Sequence, residues 1–151
     1  MREFLARHDL KLGSAAFLRD LSDADLIEVY ALNHQQIFRS PAYLKVTSYD
    51  LETLLVTPWP DLCERQNEIK KALLQTFGVV LSERLGVWND PPPSPHLVCE
   101  SFDGQSRWLR YNLRRVGVVL DATLNEPMGY ATVIRMSPVP PATGIRVPQK
   151  V

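Results

Sequence analysis

The segment NDPPPSP, from Asn89 to Pro95, divides the chain into two parts of different character. Proline fixes φ and lacks a backbone N–H, so a run of three prolines cannot continue a helix or pair within a central strand. Such a run favours a stiff, extended connector. We therefore expect separate secondary structure on either side of residues 89–95.

The sequence after this connector predicts an antiparallel sheet. HLVCESFD ends at Asp103-Gly104, a strong signal for a hairpin turn. SRWLRYNLRRVGVVL then alternates, with Leu109, Tyr111 and Leu113 on one face and mostly Arg and Asn on the other. A second turn region, DATLNEP, precedes a further apolar segment, MGYATVIRM. Together these segments predict a meander of three strands.

The sequence before the connector predicts one long helix. In CERQNEIKKALLQTFGVVLSERL, residues 63–85, apolar side chains recur at helical spacing, and the charged residues fall mostly outside that stripe. Gly78 weakens this helix but does not force it to end.

Residues 22–38 fit two interpretations. The pair Ser22 and Asp25 matches a capping box, and the apolar residues after it have helical spacing. The same apolar residues are also good strand formers, and Asn33-His34 could form a hairpin turn between two strands. Periodicity alone does not decide between a helix and two strands here.

The two ends of the chain are predicted to differ from its middle. Residues 1–21 carry two short helical patterns, which predict an N-terminal helical extension. Helices this short do not fold alone, so the extension must pack on the domain or on a second copy of itself. Residues 22–138 are predicted to form the main domain, and residues 139–151 a proline-rich tail or linker.

The order of these segments resembles that of the PAS sensor fold. LIEVYALNHQQIFRSPAYLKVTSYDLETLL is similar to the opening of a PAS domain, with Ser40-Pro41 at the usual Asn-Pro helix start and Ser48-Tyr49 at the usual Gly-Tyr turn. RWLRYNLRRV followed by EPMGYATVIRM is similar to the last two PAS strands. The resemblance covers residues 24–138. It implies an α+β fold in which short helices and one long helix lie across one face of an antiparallel sheet and enclose a cavity.

Aromatic residues are the candidates for the interior of such a cavity. They could fill the core completely, or several of them could hold a small apolar or planar ligand. Both interpretations stay open. The candidate ligand-contacting residues are Tyr30, Phe38, Tyr49, Trp59, Phe77, Tyr111 and Tyr130.

No cofactor is identified by the sequence. The resemblance implies that haem would need a histidine on the long helix, and residues 63–85 contain none. A flavin-reactive cysteine would need an Asn-Cys-Arg motif, of which PDLCERQ retains only Cys63 and a later Arg. We therefore expect neither haem nor a reactive-Cys flavin, and we expect the three histidines to be solvated loop residues.

Neither a catalytic residue nor a metal site is predicted. His96, Cys99 and Cys63 lack the close ligand pairs of a zinc site, and no nucleophile-elbow or phosphate-loop pattern occurs. An enzyme of this size would need a desolvated acid facing inward, for which Glu28, Asp61 and Glu100 are the candidates. The sequence assigns an inward direction to none of them.

Charge and hydropathy limit the classes of partner and the cellular location that we expect. Lys plus Arg and Asp plus Glu both total 17, and this balance argues against general nucleic-acid binding. No apolar run approaches the length of a membrane span, and the first twenty residues lack the apolar core of a signal peptide. We expect a cytoplasmic protein with reduced cysteines.

The sequence thus predicts a PAS-like sensory or regulatory domain that binds a small ligand or a protein partner and signals through dimerisation. The expected partner is a second copy of the chain or a downstream signalling protein. The alternatives are a small cavity enzyme or ligand carrier, and an interaction module without a cavity. The candidate interface residues are Phe4, Phe17, Leu18, Trp108 and Arg110.

Overall fold

The computed structural model describes residues 1–102 and 104–140. Within them, five α-helices, one 3-10 helix and seven strands form an α+β architecture, which confirms the predicted fold class. In chain order the elements are α1 (Arg2–Arg7), β1 (Leu10–Leu12), a 3-10 helix (Ala15–Leu18), β2 (Leu26–Ala31), β3 (Gln36–Arg39), α2 (Tyr43–Val46), α3 (Leu51–Val56), α4 (Trp59–Leu62), α5 (Asn67–Ser82), β4 (Trp88–Asn89), β5 (His96–Phe102), β6 (Gln105–Asp121) and β7 (Pro127–Pro138).

The long strand β6 organises the sheet. Along one edge it pairs with β7, and along the other it pairs in succession with β5, β4 and β1. Strand β7 then pairs with β2, and β2 with β3, all antiparallel. The predicted meander of three strands is therefore confirmed as β5–β6–β7, and the first turn of this meander places Gly104 at φ 71°. Asp103 lies outside the described residues.

The inner face of the sheet is the face that helices α2 to α5 cover. Leu73, Phe77 and Val80 of α5 pack there against the predicted row Leu109 and Leu113 of β6. All five side chains are at most 3% exposed, so this contact forms the main core.

The long helix begins later than its sequence pattern predicts. Residues 63–65 are extended because the backbone of Glu64 exchanges two hydrogen bonds of 2.9 Å with that of Cys99 in β5. Helix α5 therefore starts at Asn67.

The outer face of the sheet is covered by the N-terminal segment, residues 1–21. Leu5 of α1 and Phe17 of the 3-10 helix are buried there against Val29 of β2 and Ala131 and Val133 of β7. The predicted helical character is confirmed for α1 and the 3-10 helix. Strand β1, which lies between them, was not predicted, because three residues are too few for a reliable alternating pattern.

Residues 22–38 form strands, which settles the choice left open by the sequence. Strands β2 and β3 are joined by a turn in which His34 adopts φ 66°. Asp25 accepts a hydrogen bond of 2.8 Å from the backbone N–H of Ser22, so the capping pattern closes a turn before β2 instead of starting a helix.

The short helices start where the PAS resemblance placed them. Helix α2 follows Ser40-Pro41, and α3 follows Ser48-Tyr49 with Asp50 as its N-cap. The side chain of Asp50 accepts a hydrogen bond of 2.8 Å from the backbone of Thr53. Strand β7 continues to Pro138, and most of the predicted tail, residues 141–151, lies outside the described residues.

A matched pair of glycine substitutions tests this packing. An added Cβ at Gly129 in β7 would collide with the carbonyl oxygen of Tyr30, whereas nothing lies within 4 Å of a Cβ at Gly78 in α5. We expect Gly129→Ala to lower the free energy of unfolding by about 1–3 kcal/mol through overpacking. Gly78→Ala should raise it by up to about 1 kcal/mol because alanine favours helix. Urea denaturation of both variants measures this, and equal effects would contradict the packing.

Candidate functional site

Six of the seven predicted ligand-contacting aromatics lie in the inner-face core. Phe38 does not, and its prediction is wrong. A bulge places Ile37 as an extra residue in β3, so that Phe38 pairs with Val29 on the outer face and contacts Phe4, with ring centroids 5.1 Å apart. The six inner aromatics are Tyr30, Tyr49, Trp59, Phe77, Tyr111 and Tyr130.

Tyr130 stands at the centre of this aromatic cluster. Its ring stacks on Phe77 at 4.4 Å and on Tyr30 at 5.3 Å, and Trp59 meets Phe77 edge to face at 5.4 Å. Tyr130 is fully buried. The aromatics therefore interlock across the sheet, α4 and α5.

The hydroxyl of Tyr130 links three elements by hydrogen bonds. It accepts the indole N–H of Trp59 at 2.6 Å and lies 2.8 Å from Nδ1 of His34. Burial lowers the pKa of His34, which favours the neutral ring whose Nδ1 accepts the hydroxyl proton. His34 is half-buried in the turn between β2 and β3, so the predicted loop position is confirmed, but its ring bonds to the core hydroxyl of Tyr130.

Arg65 is a site residue that the sequence did not reveal. Its guanidinium lies between the rings of Trp59 and Tyr111, 5.3 and 5.4 Å from their centroids. One Nη donates a long hydrogen bond of 3.4 Å to the carbonyl of Trp59, while the buried Nε has no partner within the described residues. In PDLCERQ, Arg65 is one of three charged residues, and nothing periodic in this short segment would predict an inward direction for it.

Glu28 faces inward but is enclosed. Its carboxylate accepts hydrogen bonds of 2.8 Å from Gln36 and 2.9 Å from Thr132, and burial raises its pKa. All three side chains are buried. These hydrogen bonds tie β2, which carries the carboxylate, to β3 and β7.

The other two candidate acids serve as ion-pair partners. Glu100 is buried and lies 2.6 Å from the Nε of Arg107, and it also accepts the backbone N–H of Ser48 at 2.6 Å. Asp61 is exposed and lies 3.3 Å from Lys70. Neither arrangement has the form of a general acid or base directed into a cavity.

A small void lies inside the aromatic cluster. A void of about 10 Å³ lies among Arg65, Tyr30 and their aromatic neighbours, which is about the space that a single water molecule needs. A much larger groove of about 630 Å³ lies on the surface beside α4 and the start of α5, and Arg65 lines both spaces. The guanidinium therefore stands between the aromatic core and the groove.

Both cysteines are thiols that take part in no disulfide among the described residues, and both are buried. Burial raises the pKa of Cys63, whose sulfur lies 3.7 Å from the hydroxyl of Tyr49. A protonated thiol is a weak nucleophile, so Cys63 acts here as a core side chain.

The candidate interface residues lie at two separate places on the outer face of the sheet, since Trp108 and Arg110 alternate with the inward-facing Leu109 and Tyr111. Phe17 is fully buried beneath the N-terminal segment, so it holds that segment on the sheet and presents no surface to a partner. Phe4 and Leu18 are partly buried in the same cluster. Trp108 is half-buried and Arg110 exposed at the other end of the sheet, on β6.

The order of strands, short helices, long helix and meander matches the order that the resemblance implied. Among solved structures, the chain is similar to the PAS domain of a protein from Colwellia psychrerythraea, at 16% sequence identity and a TM-score of 0.48, covering 80% of this chain and 89% of that one.

Comparisons with protein families and with curated proteins give no assignment for this chain. No family model matches it, and no curated protein matches it. Within residues 1–102 and 104–140, no helix is long and apolar enough to cross a bilayer, and no group of three or more acidic, His or Cys side chains could hold a metal ion.

His96 generates a prediction about pH dependence. Its prediction as a solvated histidine is wrong, because the side chain is only 8% exposed, its Nδ1 lies 2.9 Å from the carbonyl of Pro93, and its Nε2 is buried without a partner in the described part of the chain. Burial lowers its pKa to about 4 from the usual 6.5. The unfolded chain therefore binds a proton first, and stability falls as pH falls from about 6.5 towards 4, by at most about 3 kcal/mol.

The variant His96→Gln should flatten this pH dependence, since glutamine keeps a donor for the Pro93 carbonyl and has no charge to gain. His8→Gln is the matched control, because His8 is exposed. Free energies of unfolding from urea titrations between pH 7 and 4 measure both slopes. A His96→Gln variant that keeps the full slope of the parent would show that His96 is not the group responsible.

Proposed function

We propose that this chain is a PAS-like regulatory domain in which a change at the inner-face aromatic cluster is passed through the sheet to the N-terminal segment. The observation that carries this proposal is the alternation of β2 and β7. Tyr130 and Tyr30 point into the aromatic cluster, while Val29, Ala131 and Val133, their neighbours along the same strands, contact Leu5 and Phe17. Movement of one strand therefore reaches both faces.

The N-terminal segment is suited to respond to such movement. Its helix α1 has six residues and its 3-10 helix four, too few to be stable without the sheet. The 3-10 helix is held by Phe17 in the outer core and by Arg115, whose guanidinium donates a hydrogen bond of 3.0 Å to the carbonyl of Phe17. A small change in the outer face should therefore loosen or tighten the whole segment.

We also propose how the N-terminal segment passes the signal on. The released or repositioned segment would act on a second copy of the chain or on a downstream protein in the cytoplasm. This is a non-catalytic role, which fits the enclosed carboxylate of Glu28.

A module that binds a protein partner without a ligand is the second candidate. It is favoured by the interlocked aromatic cluster and the interior void of about 10 Å³. In this case the coupling through β2 and β7 would be the same, and the stimulus would be contact with a partner.

Hydrogen exchange tests the coupling between the two faces. Tyr130→Phe removes the hydroxyl that joins Trp59 and His34 without touching the outer face. We expect exchange in residues 2–18 to become about fivefold faster or more, the range of a typical coupling energy. Thr76→Val is the control, since it also removes one buried hydroxyl, which donates to the carbonyl of Pro92 and not to β2 or β7. The same exchange in both variants, after correction for global stability, would refute the coupling.

Native mass spectrometry tests the output and separates the two candidates. We expect the full chain to be a dimer and a chain lacking residues 1–21 to have a different oligomeric state. Leu124→Ser, at a residue 70% exposed in the β6–β7 turn, should leave the state unchanged. A bound mass would support ligand sensing, and a dimer without one would support the partner-binding module. A monomer before and after deletion would exclude signalling by dimerisation.

A further inference from the structure

The surface groove beside Arg65 combines polar and apolar side chains with an arginine that forms no ion pair within the described residues. It is formed by α4, the extended residues 63–65, the first turn of α5 and the edge of β5, and its volume is about 630 Å³. Pro60, Leu62 and Cys63 supply apolar surface, and Arg65 supplies charge. A volume of this size accommodates a small organic molecule.

The hydrogen bonds of Arg65 are incomplete on one edge of its guanidinium. One Nη reaches the carbonyl of Trp59, but the Nε–H, on the opposite edge, has no acceptor, and Arg65 forms no ion pair within the described residues. A buried donor without an acceptor is costly, and the edge formed by Nε and one Nη is a shape that a carboxylate fits with two parallel hydrogen bonds.

The other charges of the groove limit the ligand to a single negative charge. Lys70 is paired with Asp61 at 3.3 Å, so these two cancel. Glu64 also lines the groove and, being acidic, offers an anion no further cation. A ligand with several negative charges, such as a nucleotide, would lack cations for its other charges, whereas one carboxylate needs only Arg65.

We propose that this groove binds a small organic acid with one carboxylate on a flat, apolar body. The carboxylate accepts hydrogen bonds from the Nε and Nη edge of Arg65, and the body lies against Pro60 and Leu62. Because Nε is fully covered in the structure, binding turns the guanidinium from its place between Trp59 and Tyr111 towards the groove.

This movement would connect the groove to the aromatic cluster. The indole N–H of Trp59 donates a hydrogen bond to the hydroxyl of Tyr130. A guanidinium that leaves the Trp59 ring therefore removes a contact from a residue that is bonded to the centre of the aromatic cluster. The inference thus names the stimulus of the proposed function, and it rests on that function for its regulatory meaning.

Isothermal titration with benzoate and benzamide tests the site on the unaltered protein. The two probes share a flat apolar body, and only benzoate carries the carboxylate. We expect saturable binding of benzoate in the millimolar range that weakens as sodium chloride is added, and binding of benzamide at least about tenfold weaker. Equal affinities for the two probes, or no benzoate binding, would overturn the proposal.

Substitutions of Arg65 identify the group that binds. Arg65→Gln should weaken benzoate binding by about tenfold or more, and Arg65→Lys should also weaken it, because an ammonium keeps the charge but not the planar fork. Arg110→Gln, at an exposed arginine on β6 outside the groove, should bind benzoate like the parent. Unchanged affinity in both Arg65 variants, each checked for folding by circular dichroism, would refute the assignment. If neither variant folds, the comparison of benzoate with benzamide on the parent still decides.

Hydrogen exchange with bound benzoate separates the two proposals. Arg65-dependent binding that changes exchange in residues 2–18 supports both. Arg65-dependent binding without that change supports the groove and contradicts the regulatory function. Faster exchange of residues 2–18 in Tyr130→Phe, together with no benzoate binding by the parent, would support the regulatory function and exclude the groove as its sensor.

Discussion

Strand β7 is buried on both of its faces, and the rest of the structure depends on this. From Tyr130 to Ile134 no residue is more than 1% exposed. A strand of this kind needs apolar cover on each side. Helices α2 to α5 supply it on the inner face and residues 1–21 on the outer face. The short N-terminal helices are therefore integral to the packing of the sheet, even though they are too short to be stable alone.

The burial of so many tyrosines makes hydrogen bonding the second constraint. Burial raises the pKa of Tyr30, Tyr111 and Tyr130, so their hydroxyls stay protonated and need partners. Tyr130 finds two, in Trp59 and His34. Buried polar atoms in proteins are nearly always satisfied, so the exceptions carry information. Here one exception is the Nε of Arg65, at the boundary between the core and the surface groove.

Much of the fold was predictable because its periodic patterns are long. The alternation through Leu109, Tyr111 and Leu113 predicted β6 and its buried face, and the stripe of α5 predicted its packing. The error at Phe38 has a local cause, since a bulge in β3 shifts one residue and reverses the face of the next. At residues 22–38 the sequence could not decide between helix and strand, for a different reason. Apolar cover on both sides of β2 favoured the strand, and that cover comes from distant parts of the chain.

The sequence by itself determined the order of elements, the face of the long helix and the aromatic composition of the inner core. These follow from local periodicity and from the conformational limits of proline and glycine, which act over a few residues. Tertiary structure alone decided that His34 is hydrogen-bonded to Tyr130 and that His96 is buried. It also decided that Glu28 is enclosed and that Arg65 lies between Trp59 and Tyr111. The physical reason is that burial and hydrogen-bond partners depend on segments far apart in the chain, such as residue 34 and residue 130, which only the folded sheet brings together.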